Sequence, residues 1–259
     1  MGGVSGPTAG ADLLSGGGRW IAGALAALAL LAWGAMIHWG MRMGTMGANA
    51  HPMGAASFLL MWGVMQAAMM FPSVVVMALG FASISRRQPG SHPLRTAAFL
   101  SGYLTTWILT GFLAYPAWLG IQTLLARHPD TLRGIGAAIL IASGLYQVSP
   151  LKYRCLAHCR SPWGFFMEHP VGRSPAAGLR LGLRHGAFCV ACCWALMAVL
   201  FAVGIMNLAW MGLLTLAIFA EKTLRHGHRI GQAIGVGLIG LGLALLAAPP
   251  AFGRFLVGA

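Results

Sequence analysis

Four side chains able to bind a soft metal ion fall within nine residues of one apolar run, His185-Gly-Ala-Phe-Cys189-Val-Ala-Cys192-Cys193. On a helix that advances 100° per residue, His185, Cys189 and Cys192 share a narrow stripe and Cys193 lies beside it. Thiolate and imidazole are the ligand set of Cu(I) and Zn(II). A single buried cysteine is a small hydrophobe, but four such ligands in nine residues are more than packing requires. A second group, Cys155-Leu-Ala-His158-Cys159, stands thirty residues upstream, and the two groups hold all five cysteines of the chain. Cys155, His158 and Cys159 also have a spacing that metal ions accept. Two other readings use the same residues. Cys189-Val-Ala-Cys192 has the spacing of a redox dithiol, with Cys155 and Cys159 as its shuttle pair. A structural zinc site could take Cys155, Cys159, Cys189 and Cys192.

A different ligand type fills the first third of the chain. Met36, Met41, Met43, Met46, Met53, Met61, Met65, Met69, Met70 and Met77 are ten of the fifteen methionines, and His38 and His51 stand among them. Met61, Met65 and Met69 recur every four residues, so a helix lines them up in a stripe that ends near Pro72. The proline removes one helical hydrogen bond and frees a backbone carbonyl that a neighbour must satisfy. Thioethers are neutral, soft ligands, and they are also the most adaptable packing groups. Both readings stay open for Met65 and Met69.

Composition says what must position these groups. The chain has 259 residues, 58% of them hydrophobic and 8% charged, with a mean hydropathy of +0.75. That balance predicts an all-α, polytopic transmembrane helix bundle. Crossing about 30 Å of hydrocarbon takes about 20 apolar residues. Seven candidate spans lie near 20–41, 56–83, 97–119, 134–149, 187–205, 207–221 and 230–248. The fourth and sixth are short, and the fifth and sixth meet at Met206-Asn207, which predicts a tight helical hairpin. Glycines such as Gly231, Gly235, Gly237, Gly240 and Gly242 suit close helix packing.

The net charge of +13 reads as topology and not as nucleic-acid binding, because cytoplasmic loops collect Lys and Arg. With seven spans, thirteen Lys and Arg fall on the side of the N-terminus and four on the other. The N-terminus and both cysteine groups are therefore expected in the cytoplasm. Arg19, the apolar run after it and Ala48-Asn49-Ala50 loosely imitate a signal peptide, but the run is too long for the usual one. Residues 1–19 read as a flexible tail and 20–259 as one transmembrane bundle. The longest connection, 150–186, is a cytoplasmic loop that either docks on the membrane or folds back to bring Cys155 and Cys159 to the second group.

Catalytic signatures are missing. There is no phosphate-binding glycine loop, no Ser-His-Asp order and no paired carboxylate to suggest hydrolysis. Only Asp12, Asp130, Glu168 and Glu221 are acidic. Glu221, followed by Lys222 and one turn later by Arg225, reads as an ion pair at a helix end.

From about 56 to 226 the chain resembles a bacterial family of predicted metal-binding integral membrane proteins, long catalogued as a domain of unknown function. The resemblance is carried by Met65-Gln-Ala-Ala-Met69-Met70-Phe-Pro72, Gly102-Tyr103, Trp107, Gly144-Leu-Tyr146-Gln147, Lys152, Cys155-Leu-Ala-His158-Cys159-Arg160-Ser-Pro162, Gly186 through Cys189-Val-Ala-Cys192-Cys193-Trp194-Ala-Leu-Met197, Gly204-Ile-Met206-Asn207 and Glu221-Lys222. One departure is Ala191, where glycine is expected between the cysteines. The resemblance implies metal binding in a bacterial inner (plasma) membrane.

The expectation is a membrane protein that receives Cu(I) among outward methionines and histidines and passes it to inward cysteines. Cys189, Cys192 and Cys193 are its main ligands, His185 a fourth or exchange ligand, and Met65 and Met69 an upper relay. Cys155, His158 and Cys159 join from the loop. Its partners are the lipid bilayer and a metallochaperone or supplied metalloenzyme.

Overall fold

The computed structural model describes residues 16–45, 53–128 and 131–247, and among them it is helical throughout, without strands. In chain order the helices are α1 (Gly16–Thr45), α2 (Ala55–Arg86), α3 (His92–Arg127), α4 (Leu132–Gln147), α5 (Pro150–Arg160), α6 (Pro162–Glu168), α7 (Pro175–Val203), α8 (Leu208–Thr223) and α9 (Gly227–Ala247). Each of the seven apolar runs read from the sequence falls, over its described residues, largely on one helix. Five of these, α1, α2, α3, α7 and α9, are long and apolar enough to cross a membrane. Counting the pair of α4 and α5, bent by 64° at its break, as one span raises the number to six. The helix α8 has 16 residues. Of the expected tail, residues 1–15 lie outside the described residues, and Gly16 to Arg19 already belong to α1.

The region 150–186 differs from the long loop expected there. It folds as α5, α6 and the first three turns of α7. Ser-Pro pairs explain why: Ser149, Ser161 and Ser174 each accept a hydrogen bond from a backbone N–H in the first turn, and the following proline loses no bond by lacking its own. Such starts are local and strong, and composition alone hides them.

Two helices form the centre. In α2 and α7 most of the apolar stretch is buried, whereas α1, α3 and α9 turn most of theirs outward. The close approach of α7 to α3 is made by Gly178, Gly182 and Gly186, four residues apart. A Cβ on Gly182 would stand 2.0 Å from the Phe99 carbonyl oxygen, and one on Gly178 would stand 2.7 Å from that of Arg95. Small residues at this spacing let two backbones touch and fix the rotation of α7. That rotation decides where Cys189, three residues past Gly186, points. In α9, Gly231, Gly235 and Gly242 pack against neighbours, but Gly237 and Gly240 have nothing within 4 Å. The turn from α7 to α8 is short, as expected, with Gly204 at φ +95° and the Asn207 side chain accepting from the Trp210 N–H.

Pro72 sits inside α2 without ending it. The carbonyl it frees, that of Ala68, accepts a hydrogen bond from the Trp33 indole of α1 at 3.1 Å. A neighbouring side chain thus supplies the missing donor.

Candidate metal centre

The sulfur atoms of Cys159, Cys189 and Cys192 lie within 4.8 Å of one another, and all three residues are buried. Two come from α7 at i and i+3; the third is brought by α5, thirty residues away in the chain. Cys192 Sγ stands 3.8 Å from Cys159 Sγ and 3.3 Å from Cys193 Sγ. The thiol of Cys192 also donates to the Cys189 carbonyl at 3.2 Å. Three converging thiols form a donor set for a soft ion such as Cu(I).

Two polar groups converge on one of these sulfurs. Lys222 Nζ donates to Cys189 Sγ at 3.0 Å, and the Tyr103 hydroxyl lies 3.1 Å from the same atom. A positive charge beside a sulfur is the setting in which cysteine reacts and ligates. Lys222 Nζ also donates to Ser73 Oγ of α2 at 3.2 Å. On α2, Met61, Met65, Met69, Ser73 and Met77 follow at intervals of four, and all are buried. The methionine stripe therefore runs into Ser73, and from there a single ammonium reaches the cysteine site.

Glu221, next to Lys222, faces another way. Its carboxylate takes a 2.6 Å hydrogen bond from Lys152 and a 2.5 Å bond from the Gln147 amide, and Lys152 also donates to Gln147. Lys152 and Glu221 are almost wholly buried. The ion pair expected with Lys222 and Arg225 is thus corrected: Glu221 bonds Lys152 of α5, and Lys222 turns to Cys189. A buried charge needs a partner close by, and helix packing supplies one from another segment. The pair ties the start of α5 to the end of α8, and α5 also packs on α7 directly, where His158 stacks on Phe188.

Other candidate residues lie around this group. Cys193 adjoins Cys192. His185 is buried among Phe99, Tyr103 and Phe165, with ring centroids 6.0, 5.7 and 5.2 Å away, and does not join the three sulfurs. Cys155 is half-buried and outside the group. His158 stacks on Phe188 at 4.5 Å, its Nδ1 pairs with the Arg154 carbonyl and its Nε2 lies 3.3 Å from the Glu168 carboxylate, so both ring nitrogens are engaged. Met65 and Met69 are fully buried. Met46 and His51 lie outside the described residues. Lys222, Tyr103 and Ser73 were not among the site residues read from the sequence. The signal for Lys222 was a Glu-Lys pair in a chain with so few charges.

No curated protein and no solved structure matches this chain. A family model described as PpoB2, copper chaperone, matches residues 59–245, a stretch that contains all five cysteines and the methionine stripe of α2. The chain belongs to the PpoB2 family of copper chaperones.

Proposed function

We propose that this chain is an integral protein of the bacterial inner membrane that receives Cu(I) on its outward side and holds it at Cys159, Cys189 and Cys192 for delivery or transport. The observation that carries the reading is the sulfur triangle assembled from two separate segments. A copper family favours the metal use of these thiols over a redox dithiol or a zinc clamp. Five long apolar helices and outward side chains such as Leu30, Leu113, Leu216 and Val236 suit a lipid environment. With α4 and α8 as shorter spans the bundle crosses seven times, the N-terminus is cytoplasmic and both cysteine groups face inward.

In this reading the ion moves along thioethers and ends on thiols. Met65 and Met69 bind without losing a proton and release readily, whereas thiolates hold a soft ion harder. Cys193 is an exchange ligand beside Cys192, and His185 is a reserve ligand one turn before Cys189. Cys155, on the more open side of α5, hands the ion to a metallochaperone or metalloenzyme.

Replacing Cys189 and Cys192 together with serine removes two of the three sulfurs. Detergent-purified double variant is expected to lose the stoichiometric copper that the parent protein retains through purification, measured by elemental analysis. Undiminished copper overturns the reading.

A further inference from the structure

Gln66 lies on α2 between Met65 and Ala67, is fully buried, and neither its amide oxygen nor its amide nitrogen has a hydrogen-bond partner. A primary amide left unpaired at both ends of its dipole in an apolar interior is strongly unfavourable. A leucine would fill similar space without that penalty, so the amide calls for a ligand.

Helix geometry says what stands beside it. Met69, Met70 and Ser73 follow Gln66 at i+3, i+4 and i+7, the spacing of one continuous face. All are buried. This face offers two thioethers and an amide carbonyl, and its lower edge is Ser73, which accepts from the same Lys222 ammonium that donates to Cys189.

We infer that Gln66, Met69 and Met70 form a second site for a soft monovalent cation, Cu(I) or its analogue Ag(I), set in the two turns above Ser73. The inference rests on the copper reading above and fixes where its thioether path holds the ion, by adding Gln66 and Met70 to Met69. Every ligand is neutral, so binding releases no proton and brings no negative charge to hold a dication. A thioether pair with an amide oxygen as weak third ligand binds a soft cation loosely enough to pass it on. The bound ion gives the Gln66 oxygen its partner.

The test is an Ag(I) titration of the full-length protein in detergent, with all five cysteines replaced by serine. One equivalent is expected to bind. Gln66→Leu in that background should weaken binding by roughly 10–100-fold, the cost of losing a supporting partner of a metal site. The same substitution should raise the thermal midpoint of the metal-free protein, because the unpaired amide is gone. If the cysteine-free chain does not fold, the protein with its cysteines serves instead: it should bind an additional, weaker equivalent after the thiols are filled, and Gln66→Leu should remove it. Absence of that equivalent, or its survival unchanged in Gln66→Leu, overturns the inference. Copper retained in full by the Cys189→Ser, Cys192→Ser protein is a separate result and defeats the earlier reading instead.

Discussion

The sulfur triangle and the methionine face are both buried, yet they are assembled in opposite ways. Met61, Met65, Met69 and Ser73 belong to one helix, so their alignment follows from a four-residue repeat and survives changes elsewhere. Cys159, Cys189 and Cys192 meet only because α5 packs against α7, where His158 stacks on Phe188, while Lys152 and Glu221 tie α5 to α8 and the glycine seam sets the rotation of α7 on α3. A face drawn from one helix keeps its alignment through local geometry and presents neutral thioether side chains. A site drawn from separate segments gathers several thiols in a small volume, and its affinity then depends on the tertiary packing around it.

The largest effect should come from breaking the tie between α5 and α8. Glu221→Ala leaves the Lys152 ammonium buried without a counter-charge, its remaining partner the neutral Gln147 amide, which is expected to cost about 3–5 kcal/mol of stability. Copper affinity at the triangle should fall with it as Cys159 drifts away, while the methionine face keeps its own binding. Changing both partners, Lys152→Met with Glu221→Leu, should recover most of the stability, as followed by thermal unfolding in detergent. Stability that stays low in the double variant would show that the charges contribute more than a mutual tie.

A smaller effect separates two kinds of glycine. Gly182→Ala forces a methyl against the Phe99 carbonyl and should destabilise the bundle by about 1–3 kcal/mol, lowering the thermal midpoint and loosening copper by turning α7. Gly237→Ala, with open space around it, should change stability by less than about 0.5 kcal/mol. Equal shifts for the two would contradict the account of the seam.

The smallest effect concerns α2 itself. Trp33→Phe removes the donor to the Ala68 carbonyl that Pro72 frees, and should cost about 1 kcal/mol. Copper retained at the triangle should not change, because no sulfur of that site depends on the bond. A large loss of copper in Trp33→Phe would mean that the two regions are coupled more tightly than their construction implies.

Much of this was legible beforehand, for identifiable reasons. Apolar runs mark helices because burial or lipid contact demands it, and each of the seven runs falls largely on one. The stripe of Met65 and Met69 follows from helical repeat alone. The helices at 150–168 were missed because they are short, α5 breaks its apolar residues with Lys152, Arg154, His158 and Arg160, and both start on serine caps and prolines that composition does not register. The partner of Glu221 was missed because a chain neighbour such as Lys222 is the obvious candidate until packing brings Lys152 closer.

By itself, then, the order of residues determined the class of the protein, its helices, and the fact that soft ligands gather in two groups, since these rest on composition and on periods of a few residues. Which cysteines meet was decided by tertiary structure: Cys159 joins Cys189 and Cys192 while Cys155, His158 and His185 do not. Contact between segments thirty residues apart depends on helix rotation, close glycine packing and a buried ion pair. None of these has a local signature, because each is a property of two surfaces and not of one.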